Sequence, residues 1–84
     1  MIDEYITPKA RLIQALIDHT KRYEISDRAF ARTTLGIHPS TWSYIKSGQR
    51  SLGPTVLRAI SINLPDLRPL VMDYILGKDN HHGQ

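Results

Sequence analysis

Residues 25–50 read ISDRAFARTTLGIHPSTWSYIKSGQR, and the start and stop signals inside this stretch decide the fold. Ser26 offers a side-chain oxygen to the free N–H groups of a following helix, and Asp27 places negative charge in its first turn, where the helix dipole favours it. This helix spans 27–33 or 27–34, with Phe30, Ala31 and Leu35 on its buried side. Arg28 and Arg32 lie together on the far side at i, i+4, a mildly repulsive spacing that a nearby anion explains as well as a solvated surface does. Gly36 sits where a left-handed backbone commonly ends a helix and only glycine adopts it without steric cost. Ile37 returns to the core. His38-Pro39 then restarts a helix, His38 at the cap and Pro39 at the first helical position. This third helix runs over 39–47. Trp42 and Ile45 face inward, and Ser40, Thr41, Ser43, Tyr44 and Lys46 cover the remaining surface.

Working outward, Thr7-Pro8 supplies a cap and a first-position proline after a lead-in over 1–6. Leu12, Ile13, Leu16 and Ile17 share one side of a 3.6-residue period, so the first helix is amphipathic and ends near Tyr23. His19, near that end, is a mild dipole partner with no assigned function. Downstream of Gly48, Gly53-Pro54 opens a fourth helix with a stripe of Val56, Leu57, Ile60 and Leu64, and Pro65 stops it. Asp66 is placed to cap a fifth helix in which Leu67, Leu70, Val71, Tyr74 and Ile75 follow the i, i+3, i+4, i+7, i+8 pattern, closed by Gly77. The expectation is a compact all-α bundle of five helices.

A chain of 84 residues fits one small domain, 1–77, followed by a polar, unpatterned tail, 78–84, read as disordered. His81-His82 in that tail lacks flanking ligands and is no metal site. With no cysteine, apolar packing alone holds the core, and neither a disulfide framework nor a thiolate zinc site is available. The longest apolar runs are far too short for a membrane span, and residues 1–20 lack a signal-peptide layout, so a cytoplasmic setting is expected. Nothing points to an enzyme or a cofactor. No nucleophile lies in a recognisable motif, carboxylates are few and scattered, and no glycine-rich phosphate loop or metal constellation appears.

The net charge of +3 is unevenly divided. Residues 21–58 carry Lys21, Arg22, Arg28, Arg32, Lys46, Arg50 and Arg58 against Glu24 and Asp27, or +5, whereas the segments on either side are each −1. A polyanion is therefore the first partner to weigh, since phosphate neutralisation supplies most sequence-independent affinity for DNA. The outer face of the third helix is polar but barely charged, and hydroxyls and a phenol can donate or accept at base edges. The following loop, Ser47-Gly48-Gln49-Arg50-Ser51, offers backbone N–H groups, an amide, a guanidinium and two hydroxyls suited to phosphate oxygens. Apolar side chains also exceed the needs of a monomer core. Ile62, Met72 and Leu76 project about 140–180° from their helices' main stripes at ~100° per residue, a candidate self-complementary dimer patch.

The pattern IS-x-R-A-F-A-x-x-x-LGI-x-PST-W-S-x-I-x-SG-x-RS resembles the helix-turn-helix core of the Cro and lambda-repressor-like (XRE-type) family, over about residues 25–64. The resemblance implies a five-helix bundle whose third helix enters the major groove while the second lies across the backbone, and homodimers that read two half-sites of a palindromic operator. Carried over position by position, base reading falls to His38, Ser40, Ser43 and Tyr44, with Pro39 against a thymine methyl; Thr41, on the same polar face, is a further base-reading candidate. Phosphate contact falls to Ser47, Gln49, Arg50 and Ser51, and the basic side chains of Arg28 and Lys46 are expected to anchor phosphates beside them. Three positions depart from the pattern: Asp27 stands where the family commonly has a DNA-touching Gln, Trp42 where Val or Ile is usual, and Leu52-Gly53-Pro54 replaces a common Pro-Ser-Leu turn. The implied function is a sequence-specific double-stranded DNA-binding transcriptional regulator, a repressor of phage or bacterial type. The alternative is an antitoxin-like or adaptor module that keeps the fold and binds another protein through the spare apolar surface.

Overall fold

The computed structural model describes residues 6–77; residues 1–5 of the lead-in, the tail 78–84 and its histidine pair lie outside them. The described residues form five α-helices and no strands: α1 (Pro8–Arg22), α2 (Asp27–Ala29), α3 (Pro39–Lys46), α4 (Pro54–Asn63) and α5 (Arg68–Leu76). No helix among these residues is long and apolar enough to cross a membrane.

Three of the start signals, at Thr7, Ser26 and His38, work through a local side-chain hydrogen bond. The Ala10 N–H donates to Thr7 Oγ1 at 3.1 Å, the Ala29 N–H to Ser26 Oγ at 3.1 Å, and the Ser40 N–H to His38 Nδ1 at 3.1 Å. These caps satisfy donors that a helix start leaves free. The turn from α1 to α2 closes with the Ile25 N–H on the Thr20 carbonyl and the Glu24 N–H on the Lys21 carbonyl. That is a Schellman pair, and it forces Glu24 to a φ of 53° that glycine usually takes.

The second helix departs from expectation. Its α-helical turn passes directly into a π-helix, Phe30–Leu35, wider than the α-helix read over 27–33 or 27–34. Gly36 ends it at φ 69°, and the Ile37 N–H reaches back to the Ala31 carbonyl, one residue further than a Schellman closure spans. Two side chains occupy carbonyls in this segment. Thr33 Oγ1 donates to the Ala29 carbonyl, and Asn63 Nδ2, from the end of α4, donates to that of Thr34.

The core is continuous. Leu12, Ile13 and Leu16 of α1, Phe30, Ala31 and Leu35 of the second helical segment, Trp42 and Ile45 of α3, Leu52, Val56 and Ile60, and Val71 of α5 form one buried cluster. Phe30 and Trp42, both fully buried, meet with ring centroids 5.2 Å apart at 54°, a tilted contact that aromatic quadrupoles favour. His19 makes tilted ring contacts with Tyr23 and Phe30 rather than standing free at the end of α1.

The start of the fifth helix also differs. Pro65–Leu67 forms a 3-10 turn, α5 begins only at Arg68, and the Asp66 side chain caps neither. Ile75, assigned by its spacing to the buried stripe, is 56% exposed. It stands on the rim of an apolar groove floored by Leu52, Leu57 and Val71, and no element of the described chain covers that side.

Candidate nucleic-acid interface

The third helix extends over Pro39–Lys46, and Ser47 forms its C-cap, one residue short of the expected 39–47. Trp42 and Ile45 anchor it from below. His38, Ser40, Ser43 and Tyr44 are exposed, whereas Pro39 and Thr41 are half-buried. Six polar or small side chains assigned to base reading therefore sit on a helix whose inner face is fixed, four of them open to solvent.

The cap also orients the His38 ring. Its Nδ1 accepts from the Ser40 N–H and lies 2.8 Å from Ser40 Oγ, so the neutral ring carries its proton on Nε2. His38 thus presents an N–H donor outward, matched to an acceptor such as purine N7 or a phosphate oxygen.

Beyond the helix the backbone closes on itself. The Gly48 N–H donates to the Ile45 carbonyl, and the N–H groups of both Gln49 and Arg50 donate to the Tyr44 carbonyl at 2.9 and 3.2 Å. Ser47 Oγ donates to the same carbonyl at 3.0 Å. Gly48, at φ 84°, permits this closure because the left-handed region costs glycine nothing. The expectation that this loop offers backbone N–H groups to an anion is therefore corrected for Gly48, Gln49 and Arg50, whose donors are used within the chain. What remains outward is the Gln49 amide, the Arg50 guanidinium and the Ser51 hydroxyl, all on exposed residues.

The cations divide into two kinds. Arg28, Arg32 and Arg50 are exposed and have no ion-pair partner among the described residues. Lys46 has one: its Nζ lies 2.6 Å from Asp27 Oδ2. The other oxygen of Asp27 accepts from Trp42 Nε1 at 3.0 Å. Two of the departures from the family pattern, Asp27 and Trp42, are thus a single interaction, in which a carboxylate at the first turn of α2 accepts from a buried indole and a lysine of α3. The hydrogen bond from Lys46 holds the Asp27 carboxyl below its ordinary value; partial burial opposes this, while the Trp42 bond and the Lys46 charge add to it. Lys46 Nζ also lies 5.6 Å from the Trp42 ring centroid.

One cation beside the loop carries no assignment in the sequence reading. Lys9, in the first turn of α1, lines a groove shared with Gln14, Lys46, Ser47 and Gly48. The available signal is that a lysine sits in the first turn of α1, which holds no acidic residue and where the dipole disfavours positive charge.

Ile62, Met72 and Leu76 are 63%, 50% and 59% exposed, and Ile75 joins them. They lie on α4 and α5, away from the outward residues of α3 in the chain. No group of three or more metal-ligating side chains occurs among the described residues. Compared with known proteins, the chain matches no family model, no curated protein and no solved structure.

Proposed function

We propose that this chain is a sequence-specific double-stranded DNA-binding transcriptional regulator, acting as a repressor, that places α3 in the major groove. The observation that carries this reading is the outward row of His38, Ser40, Ser43 and Tyr44 on a helix locked from beneath by Trp42 and Ile45. Polar donors and acceptors on a rigid helix suit base edges, and cations with no ion-pair partner among the described residues at its margins suit phosphates. Arg28 and Arg50 grip the backbone, joined by Gln49 and Ser51, while Tyr44, Ser43 and the His38 donor select the sequence. Ile62, Met72, Ile75 and Leu76 supply the contact between two copies, so that the operator is palindromic.

Selection from random duplex DNA, followed by binding measurements across salt concentrations, tests this directly. Arg50→Ala weakens binding to all sequences and flattens the salt slope by about one, whereas Tyr44→Ala changes which sequence is preferred. If neither variant alters binding, α3 is not the reader. Met72→Glu combined with Leu76→Glu shifts the sedimentation mass to that of a monomer; an unchanged mass removes the patch as the dimer contact.

The exposed apolar residues of α4 and α5 also favour a second reading, an antitoxin-like or adaptor module whose partner is a different protein. That reading gains if the chain selects no duplex at low salt and co-purifies with another polypeptide.

A further inference from the structure

Asp27 is an acidic residue in the most basic segment of the chain, one position before Arg28, which the proposed function sets against the DNA backbone. Its carboxylate holds two donors with unequal freedom. The Trp42 indole is fully buried and fixed. Lys46 reaches Asp27 from a flexible four-carbon stem, and the side chains of the pair are 29% and 55% exposed. An ion pair this open contributes little, because water competes for both charges. An incoming phosphate is a competitor of the same kind, and Lys46 lies in the groove shared with Lys9 and Ser47.

We infer that Asp27 is a displaceable internal counter-ion, which Lys46 exchanges for a phosphate oxygen when DNA docks, so that Asp27 restrains affinity and cancels one charge from its salt dependence. The inference rests on the DNA-binding reading. Salt dependence counts ions released when cations neutralise phosphates, about 0.9 per contact. When Lys46 moves to a phosphate, the freed Asp27 carboxylate stays beside the DNA as a negative charge, so the local charge that holds counterions is little changed and the release is offset. Asp27 keeps its bond from Trp42 during the exchange, so the carboxylate retains one donor. It also faces the arriving phosphate as a like charge, which opposes close approach at this edge of the interface.

Asp27→Asn separates this role from a structural one. The carboxamide oxygen still accepts from Trp42, but the site no longer holds Lys46. Measured by fluorescence anisotropy on a selected duplex across salt concentrations, Asp27→Asn binds roughly three- to tenfold more tightly at low salt, with a slope steeper by about 0.9. Its thermal midpoint, followed by circular dichroism, stays level or falls. Tighter binding together with unimproved stability is the signature that a purely structural Asp27 does not give. Lys46→Gln supplies an independent measure should Asp27→Asn fold poorly: its affinity falls while its salt slope holds, in contrast to Arg50→Ala, where both fall. Asp27→Asn binding no more tightly at an unchanged slope, or Lys46→Gln losing about 0.9 of slope, overturns the inference. If wild type and Asp27→Asn both fail to bind any duplex at low salt, the proposed function itself fails.

Discussion

Replacing Trp42 with Phe tests the contact that ties α3 to the start of α2. Trp42 is fully buried, its ring packs on Phe30 at 5.2 Å, and its indole N–H donates to Asp27 at 3.0 Å. A phenyl ring keeps most of the aromatic contact but gives up two buried ring carbons, about 1.6 kcal/mol at ~0.8 kcal/mol per carbon. It also removes the hydrogen bond. A bond to a charged acceptor is worth about 1.5–3 kcal/mol, but Asp27 is open enough to be rehydrated, which brings the loss nearer ~1 kcal/mol. The combined cost is about 2.5 kcal/mol, a large share of the ~4–12 kcal/mol that a domain of this size holds. At ~4–8 °C per kcal/mol the thermal midpoint falls by about 10–20 °C. Far-ultraviolet circular dichroism at neutral pH measures this, since the variant has no tryptophan fluorescence. A fall of less than about 5 °C refutes the packing estimate. A double-mutant cycle with Asp27→Ala then isolates the bond: if Asp27→Ala costs the same with Trp or Phe at position 42, the indole–carboxylate contact contributes nothing.

Three further outcomes follow from the backbone and the carboxylate. Glu24→Gly relieves the left-handed φ of 53° and raises stability by about 0.5–1 kcal/mol, read as a higher urea midpoint at unchanged m-value; a lowered midpoint contradicts the strain. Gly48→Ala lowers stability by about 1 kcal/mol although an added Cβ meets no atom within 4 Å, because the whole cost lies in its φ of 84°. Because the folded carboxyl of Asp27 is held below its ordinary value near 3.8, its contribution is present above that value and lost as pH falls through it towards the lower folded value. Asp27→Asn therefore loses less stability than wild type between pH 7 and pH 3 in urea titrations, and equal losses would show that the pair adds no acid sensitivity.

What the chain reveals on its own follows the range of each interaction. Thr7, Ser26 and His38 cap the next helical turn two or three residues away, so side-chain chemistry and a neighbouring proline or acidic residue are enough to place those starts. The buried cluster is equally readable for α1 and α3, where a 3.6-residue period identifies the inner face. Periodicity identifies a face but not whether anything covers it. Ile75 follows the stripe of α5 and still stands open because no element of the described residues covers the groove beside it. The π-helical turn escapes for a related reason: nothing in FARTTL distinguishes a wide turn from an α-turn until Phe30 meets Trp42 and Asn63 meets the Thr34 carbonyl. At the candidate site the outward residues of α3 follow from helical geometry alone. The link from Asp27 to Trp42 and Lys46 spans 15 and 19 residues and emerges only when α2 and α3 are brought side by side.

The Tyr44 carbonyl has a consequence for the energetics of docking. Three donors, from Ser47, Gln49 and Arg50, converge on that one oxygen, so the last turn of α3 and the segment carrying the Arg50 guanidinium form one stiff unit. A ligand that meets this surface does not first have to order a wandering loop, a step that commonly costs association part of its free energy. The entropy of arranging Tyr44 and the Arg50 backbone has already been spent in folding. Only side-chain rotamers at Gln49, Arg50 and Ser51 are left to freeze. Recognition at this edge of the molecule therefore favours a rigid partner whose shape already matches over one that must be moulded into place.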